Sequence, residues 1–245
     1  MTRRRWIADD WDDRTASLRG EQAAHLIRVL RAQTGMECDM VAGGRVWRAA
    51  ISGISGDAVR FTLLFEVEAH PAFPVTLLLS VFKFDRMEWM IEKATELGAE
   101  RFVPVTSRRS EKHLVQAAPA RLERWRRIVR EAAQQSRRSD VPAVEDVVPL
   151  KSALQAIAGP AALRLVLAEQ QRSTTLHAAL QAALQPPRAE KPAMHIAVGP
   201  EGGWTAEEET LFAVEGWQAV SLGPHILRAE TAGIAAMAVV AAVLG

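Results

Sequence analysis

The chain has 245 residues, 49% of them hydrophobic and 24% charged, which is the composition of a globular protein with a sizeable buried core. Its single cysteine, Cys38, excludes an internal disulfide framework, and no CxxC or HxxxH spacing indicates a metal site. The N-terminal arginines precede no apolar run, and the apolar C-terminal end is too short to span a bilayer. We therefore expect a cytoplasmic protein with no signal peptide, no membrane anchor and no bound metal.

The net charge of +1 hides a strongly basic segment. Residues 108–138 contain ten Arg or Lys and three Glu, a local charge of +7, so the rest of the chain carries −6. Such a block is typical of a surface that binds a polyanion, and it is equally typical of a solvated helix face. Composition leaves both interpretations open.

Short runs that alternate apolar and polar residues fill the first 70 residues. Gly-Gly, Ser-Gly and Gly-Asp pairs separate these runs, a pattern that predicts short antiparallel strands. One predicted helix, GEQAAHLIRVLRAQ, interrupts them. We therefore predict a small β-barrel domain over residues 1–70.

A stretch with two prolines, AHPAFP, follows and is interpreted as a linker. From residue 74 to residue 245, strand patterns such as VTLLLSVFK and RFVPVTS alternate with helix patterns such as MEWMIEKATELGA and RLERWRRIVREAAQQS. The nearly continuous apolar strands are typical of a parallel sheet that is covered on both faces. The second domain is thus predicted to be α/β, with a mostly parallel sheet.

The stretch VGPEGGW begins where the predicted strand HIAV ends, and ligands of parallel sheets bind at the carboxyl ends of strands. Thr205 and Glu208 form a T-x-x-E capping box, and acidic residues fill the first turn of the helix that follows. These carboxylates disfavour a bound pyrophosphate, and the sequence has neither GxxxxGK(S/T) nor GxGxxG. A plain tight turn is one interpretation. A site for a neutral or cationic ligand such as S-adenosylmethionine is the other.

A second turn, SLGPHILRAETAG, repeats this arrangement after the predicted strand WQAVSLG. We expect the two strand ends to be adjacent and their turns to open into one pocket. Arg228 and Glu230 stand at the entrance to an otherwise apolar helix, either as functional residues of the pocket or as a buried structural ion pair. The small residues of that helix predict close packing, in the core of the chain or across a subunit boundary.

Four stretches occur in a fixed order: FKFDRMEWMIEKATELG, RWRRIVREAAQQSRR, VGPEGGW and SLGPHILRAETA. With them the chain resembles, over almost its whole length, the small-subunit ribosomal RNA uridine-N3 methyltransferases (RsmE type) of the SPOUT class. The resemblance implies a trefoil-knotted, mostly parallel sheet with flanking helices in residues 74–245, preceded by a PUA-like β-barrel RNA-binding domain in residues 1–70. It also implies a homodimer that uses S-adenosylmethionine to methylate one uridine of small-subunit (16S) ribosomal RNA, as free RNA or in the small ribosomal subunit.

The resemblance further implies that three loops hold the methyl donor. The donor-binding residues that it indicates are Leu167, Glu169, Val198, Gly199, Pro200, Gly202, Leu222, Gly223, Ile226 and Leu227. We interpret Arg228 as the catalytic residue that stabilises negative charge on the uracil carbonyl oxygens as N3 loses its proton. Glu230 is interpreted as a catalytic partner that orients Arg228 or accepts this proton, and capping of the last helix is its alternative role.

Arginines are expected to position the RNA through its phosphates, because phosphate contacts dominate the affinity of nucleic-acid binding. His25, Arg28 and Arg31 lie at helical spacing on one expected RNA-binding face. The full set of predicted RNA-binding residues is Arg3, Arg4, Arg5, His25, Arg28, Arg31, Arg108, Arg109, Arg137 and Arg138. Trp125, inside the basic helix, is predicted to be a core residue rather than a base-stacking platform.

Two other functions remain compatible with the sequence. A related knotted methyltransferase acting on a ribose 2′-hydroxyl is one of them. The other is a noncatalytic RNA-binding protein of ribosome assembly, which would bind no methyl donor.

Overall fold

The structure, a computed structural model of the chain, describes residues 5–157, 162–171, 173–185 and 191–245. The predicted RNA contacts Arg3 and Arg4 lie outside the described residues. The chain forms two compact units: the first extends to Pro71 and also includes Arg130–Val141, and the second comprises Ala72–Val129 and Pro142–Gly245.

In its described residues, the first unit contains a six-stranded sheet, one complete helix and the last turns of a second helix. Its elements are β1 (Trp6–Ile7), β2 (Asp10–Trp11), β3 (Thr15–Arg19), helix α1 (Gly20–Arg28), β4 (Glu37–Ala42), β5 (Arg45–Ser55) and β6 (Ala58–Glu66). The strand order is β1-β4-β5-β6-β3-β2, and every pair is antiparallel except the parallel pair of β1 and β4.

The two ends of this strand order belong to one continuous segment. Ala8, just after β1, donates a backbone hydrogen bond to Val41 of β4 at 2.9 Å, and Asp9, just before β2, donates one to Ser17 of β3 at 2.9 Å. The two edge strands of the sheet, β1 and β2, are therefore consecutive in the chain and joined by this short segment. The side chains that the sheet encloses alternate along the strands, as Ala16 and Leu18 of β3 are buried and the residues between and beside them are more exposed.

Helix α1 is shorter than its sequence pattern predicts. The helix ends at Arg28, and Arg31 lies beyond it with a left-handed backbone (φ 52°). The expectation that Arg31 continues the helical face of His25 and Arg28 is therefore wrong, because a residue in this conformation cannot extend a right-handed helix.

The basic segment is divided between the two units. The sequence assigns Arg130–Val141 to the second domain, but its contacts group it with the first unit. The reason is packing: Ala133 is fully buried in a small apolar cluster with Ile7, Val41 and Val46.

The second unit is an α/β sheet whose seven strands are all parallel. Its strands are β7 (Val75–Ser80), β8 (Arg101–Thr106), β9 (Ala143–Val144), β10 (Val148–Pro149), β11 (Leu163–Leu167), β12 (Met194–Val198) and β13 (Gln218–Val220). Its helices are α2 (Phe84–Glu96), α3 (Lys112–Ala117), α4 (Leu122–Gln135, whose last turns belong to the first unit), α5 (Leu150–Ala156), α6 (Leu176–Ala183), α7 (Ala206–Val214) and α8 (Ala229–Leu244). The strand order is β10-β8-β7-β12-β11-β13, with β9 also paired to β8.

The core of this unit explains the apolar runs of the sequence. All six residues of β7 are buried, as expected for a central parallel strand with helices on both faces. Trp125 of α4 is fully buried, which confirms the prediction that it is a core residue. Gly233 of α8 lies against Met90 of α2 so closely that a Cβ at this position would be 2.1 Å from the Met90 sulfur. The small residues of α8 thus serve packing inside the chain itself.

The second unit differs from the sequence-based prediction in its strand order and in some of its short elements. Strand β11 lies between β12 and β13, so the expectation that the two glycine turns follow adjacent strands is wrong. Helices α3 and α5 were not predicted, because both are short and their apolar periodicity is correspondingly weak. Across the described ranges, no helix combines the length and apolar character that a membrane span requires.

Candidate functional site

A cavity of about 350 Å³ opens at the carboxyl ends of three neighbouring strands. Its walls are formed mainly by residues 167–170 at the end of β11, residues 198–204 at the end of β12 and residues 220–223 and 225–229 at the end of β13, with Arg86 and Arg109 beside them. The volume lies within the range of sites for small organic ligands. All lining residues belong to the second unit.

All ten predicted donor-binding residues line this cavity. They are Leu167, Glu169, Val198, Gly199, Pro200, Gly202, Leu222, Gly223, Ile226 and Leu227. Arg228 also lines it, whereas Glu230 does not. The sequence thus identified the three loops that meet here. It did not show that β11 lies between β12 and β13.

The turn after β12 is held in place by Trp204. The Trp204 indole N–H donates a 3.2 Å hydrogen bond to the carbonyl oxygen of Leu167, which ties this turn to the end of β11. The Trp204 ring packs edge-on against Phe212 of α7, with ring centroids 4.8 Å apart. Gly203 closes the turn with a φ of 70° and donates a backbone hydrogen bond to Pro200 at 2.9 Å. A side chain at this position would be strained, which explains the glycine.

Arg109 provides a second support for the same turn. One of its terminal nitrogens donates hydrogen bonds to the carbonyl oxygens of Gly202 at 2.6 Å and Trp204 at 3.1 Å. Arg109 was predicted to contact RNA, and in the structure its guanidinium faces the turn and lines the cavity. No local sequence signal could reveal this contact, because its partners are more than ninety positions further along the chain.

The predicted capping box at the start of α7 is confirmed. Thr205 accepts a hydrogen bond from the Glu208 backbone N–H at 3.3 Å, and the Glu208 carboxylate accepts one from the Thr205 N–H at 2.9 Å. The second Glu208 oxygen accepts a 2.8 Å bond from the backbone N–H of Arg108, in the loop after β8. Glu208 is buried, so this one carboxylate joins a helix start to a distant loop.

The turn after β13 is anchored to the loop after β11. Ser221 donates a backbone hydrogen bond to Thr174 at 3.0 Å, and Leu176 donates one to Ser221 at 2.8 Å. Gly223 then takes a φ of 125°, a conformation that side chains rarely adopt. The loop that forms the third wall of the cavity is therefore anchored at its first residues.

Arg228 and Glu230 occupy different environments. Arg228 is the exposed N-cap residue of α8, and none of the ion pairs in the described part of the chain involves it. Glu230 is 5% exposed, and its nearest cation is Arg86 of α2, with 3.8 Å between Glu230 Oε1 and Arg86 Nε. A buried ion pair between Arg228 and Glu230, the alternative left open by the sequence, is therefore not formed.

The other predicted RNA-binding residues are spread over both units. Arg28, Arg31, Arg108 and Arg137 are exposed, and His25 is half-buried beside the Trp6 ring.

Two of the predicted RNA-binding arginines are occupied within the first unit. Arg5 donates to the carbonyl oxygen of Arg137, and burial lowers the pKa of its guanidinium. Arg138 is 8% exposed and paired with Asp140 at 2.6 Å, an environment that favours a structural role.

Much of the basic segment neutralises carboxylates of the chain itself. Arg124 pairs with Glu88 at 2.7 Å, and Arg130 pairs with Asp9 at 2.6 Å. Arg126 pairs with both Glu123 and Asp146. The local charge of +7 in the sequence therefore overstates the positive charge that this segment presents to a polyanion. Within the described ranges, no group of three or more His, Cys, Asp or Glu is placed to hold a metal ion.

Comparison with known proteins identifies the class to which this fold and cavity belong. Residues 68–241 match the profile of the RNA methyltransferase domain family, and the chain belongs to this family.

The individual relatives are more specific. The chain is 36% identical over 233 residues to ribosomal RNA small subunit methyltransferase E of Synechocystis sp., an alignment that covers 94% of this chain and 74% of the relative. It is 30% identical over 232 residues to the protein of the same name from Bacillus subtilis, covering 92% and 89% of the two chains. Among solved structures, it is similar to ribosomal RNA small subunit methyltransferase E from Neisseria gonorrhoeae bound to S-adenosyl methionine, with a TM-score of 0.80, 31% identity and coverage of 96% and 95%.

Proposed function

We propose that this protein transfers a methyl group from S-adenosylmethionine to N3 of a uridine in small-subunit ribosomal RNA. The observation that carries the proposal is the cavity formed by three strand-end loops, in a chain that belongs to an RNA methyltransferase family. A similar solved structure, from Neisseria gonorrhoeae, contains S-adenosyl methionine.

The lining of the cavity fits this methyl donor. Its apolar side chains, Leu167, Val198, Leu222, Ile226 and Leu227, offer a surface for the flat adenine ring.

The charges in the cavity also fit a cationic donor better than a polyphosphate. Three carboxylates, those of Glu169, Glu201 and Glu209, line it and favour a ligand with positive charge. Arg109 is occupied by carbonyl oxygens and Arg86 by Glu201, so two of the three arginines in the cavity are not available for phosphate. The acidic first turn of α7 acts in the same direction.

Arg228 is the residue that we assign to catalysis. The bound donor supplies the methyl group, which the uridine nitrogen attacks in line. Removal of the N3 proton places negative charge on the uracil carbonyl oxygens, and an exposed guanidinium at the cavity wall is suited to stabilise it. Glu230 is buried and paired with Arg86, so we assign it an orienting role in this first turn of α8; its action as proton acceptor stays a prediction.

We further propose that the second unit contains the trefoil knot of the SPOUT class. Two hydrogen bonds support a knotted chain path. The backbone N–H of Ser221, just after β13, donates to Thr174, and its carbonyl oxygen accepts from Leu176, so the chain passes the segment after β11 before it enters α8. Gly233 of α8 packs against Met90 of α2, the first helix of the same unit. For the first unit, the returning strand order supports a PUA-like barrel.

The RNA is proposed to be held by exposed arginines of both units, with its target base extruded or single-stranded. N3 takes part in Watson–Crick pairing, so a paired uridine cannot be methylated there. Arg28, Arg31 and Arg108 are the exposed candidates for phosphate contacts; Arg137 is also exposed but pairs with Asp39 at 3.8 Å. We propose that the enzyme acts in the cytoplasm as a homodimer on ribosomal RNA or the small ribosomal subunit.

Calorimetric titration of the purified protein with S-adenosylmethionine, and separately with ATP, tests the proposal. We expect micromolar binding of the donor and no binding of ATP. Mass-spectrometric mapping of small-subunit RNA after reaction should then locate the methyl group on a uridine base. A methyl group on a ribose would support the related 2′-hydroxyl activity instead, and RNA binding without donor binding would support the noncatalytic role.

A further inference from the structure

Arg86 stands in an electrostatically unfavourable position on its own helix. It is the third residue of α2, and positive charge in the first turn of a helix opposes the helix dipole. Nothing in the local sequence offsets this cost beyond the neighbouring Asp85. Residues that violate a local rule are often functional, with the compensation supplied from elsewhere in the fold.

The compensation comes from two carboxylates that are distant in the sequence. A terminal nitrogen of Arg86 donates to Glu201, which lies 115 positions away in the glycine turn after β12. The Nε atom of the same guanidinium lies 3.8 Å from Glu230 Oε1, in the first turn of α8. Lys83 adds a weaker pair with Glu201 at 3.7 Å. Arg86 itself lines the cavity.

The two carboxylates depend on Arg86 to different degrees. The Glu201 side chain is 34% exposed to solvent and has Lys83 as a second cationic partner. The Glu230 side chain is only 6% exposed, and its Oε2 atom has no hydrogen-bond partner among the described residues. A buried carboxylate without a cation is costly, so loss of Arg86 would force the start of α8 to rearrange.

We propose that Arg86 is a positioning residue that fixes the glycine turn and the start of α8 relative to each other. This inference rests on the proposed methyltransferase function, because these two segments carry Glu201 of the donor cavity and Arg228 of the catalytic step. Arg86 acts on the reaction through its two carboxylates. The positive charge of Arg86 holds Glu230 in place at the start of α8. Because Arg228 is two residues before Glu230, this contact also keeps Arg228 beside the loops that hold the donor.

The test compares single-turnover methyl transfer, at saturating donor, for the wild type and for Arg86→Gln, Arg86→Lys and Glu201→Gln. We expect Arg86→Gln to lower the rate about 10- to 100-fold, because small misplacements of reacting groups have effects of this size. Donor affinity, measured by titration, should weaken less than the rate falls. Arg86→Lys keeps the charge but lacks the guanidinium fork that reaches both carboxylates, so it should regain part of the rate.

Arg101→Gln is the matched control. Arg101 pairs with Glu145 at 3.1 Å on β8, so this variant also removes one arginine–carboxylate pair from the second unit, but at a strand start and outside the cavity lining. Its rate should equal that of the wild type. Glu201→Gln tests the same connection without touching the buried part of the network, and in its background Arg86→Gln should have a smaller effect than in the wild type.

A rate for Arg86→Gln within twofold of the Arg101→Gln rate would overturn the positioning role, as would an Arg86→Lys variant as slow as Arg86→Gln. If Arg86→Gln does not fold, Glu201→Gln takes its place, and a Glu201→Gln rate equal to that of Arg101→Gln would count against the positioning role. Failure of the wild type to bind the donor is a different result, since it contradicts the proposed function whatever Arg86 does.

Discussion

At the scale of single residues, the cavity separates two kinds of charged group. Arg228 is exposed at the cavity wall and has no carboxylate partner among the described residues, whereas Arg86 and Arg109 are held by groups of the protein. An arginine without an internal partner keeps its donors for a substrate, while a paired arginine fixes the backbone around it. The assignment of Arg228 to catalysis depends on this difference.

Replacing Arg228 with alanine should therefore affect chemistry far more than folding. We expect methyl transfer to fall about 100- to 1,000-fold, the usual effect of removing a donor that stabilises developing negative charge. The dissociation constant for S-adenosylmethionine, measured by titration, should change little. Parallel losses in melting temperature and donor binding would show instead that the residue is structural.

His195 gives the stability of the fold a specific pH dependence. Burial first, and then the charges of Arg164 and Arg101, lower the pKa of this side chain from 6.5 to about 4. Between these two values the unfolded chain therefore binds more protons at His195 than the folded chain does. The free energy of unfolding is thus unaffected by His195 above pH 6.5 and decreases as the pH falls towards 4. Chemical denaturation at several pH values should show this slope in the wild type and a flatter slope in His195→Gln. An unchanged slope would contradict it.

At the scale of elements, the first turn of α7 makes both local and long-range hydrogen bonds. Thr205 and Glu208 satisfy each other's backbone N–H groups, as any capping box does. The bond from Arg108 to Glu208 cannot be seen in the pattern, although it makes the same carboxylate a support for the loop after β8. The first turn of α7 is thus joined to the loop after β8 through the same carboxylate that caps the helix.

Removing the Glu208 carboxylate should be costly for this reason. Glu208→Ala is expected to lower the free energy of unfolding by about 1 to 3 kcal/mol, the range for a buried group whose hydrogen-bond partners lose their acceptor. Urea denaturation measures the change. Glu207→Ala is the matched control in the same helical turn, because Glu207 is exposed and should affect stability far less. Equal effects of the two variants would refute the role of Glu208 as a connection.

At the scale of the whole molecule, the basic segment contributes less free charge than its composition suggests. Arg124, Arg126, Arg130 and Arg138 are each paired with a carboxylate of the chain. Since only unpaired cations release counterions from RNA without first breaking an ion pair, exposed residues such as Arg28 should dominate RNA affinity.

We expect RNA binding to weaken with salt, with a log–log slope much smaller than the number of basic residues in the segment. Arg28→Ala should lower affinity and reduce the slope by about 1, in proportion to one lost phosphate contact. Arg138→Ala should leave the slope unchanged and lower the melting temperature, since its side chain is buried against Asp140. Binding curves at several salt concentrations distinguish these outcomes, and a reduced slope for Arg138→Ala would contradict the structural role.

Local sequence determined the alternation of the longer strands and helices in the second unit, the glycine turns that end β12 and β13, and the capping box of α7. Each depends on residues within a few positions of one another, where periodicity, turn chemistry and capping act directly. Only the tertiary structure decided that β11 separates the two glycine-turn strands, that Arg109 and Arg86 hold the turn after β12, and that Glu230 faces Arg86 rather than Arg228. These partners are between 93 and 144 positions apart, and a charged side chain in a sequence does not specify which of many distant carboxylates or carbonyl oxygens it will meet in the fold.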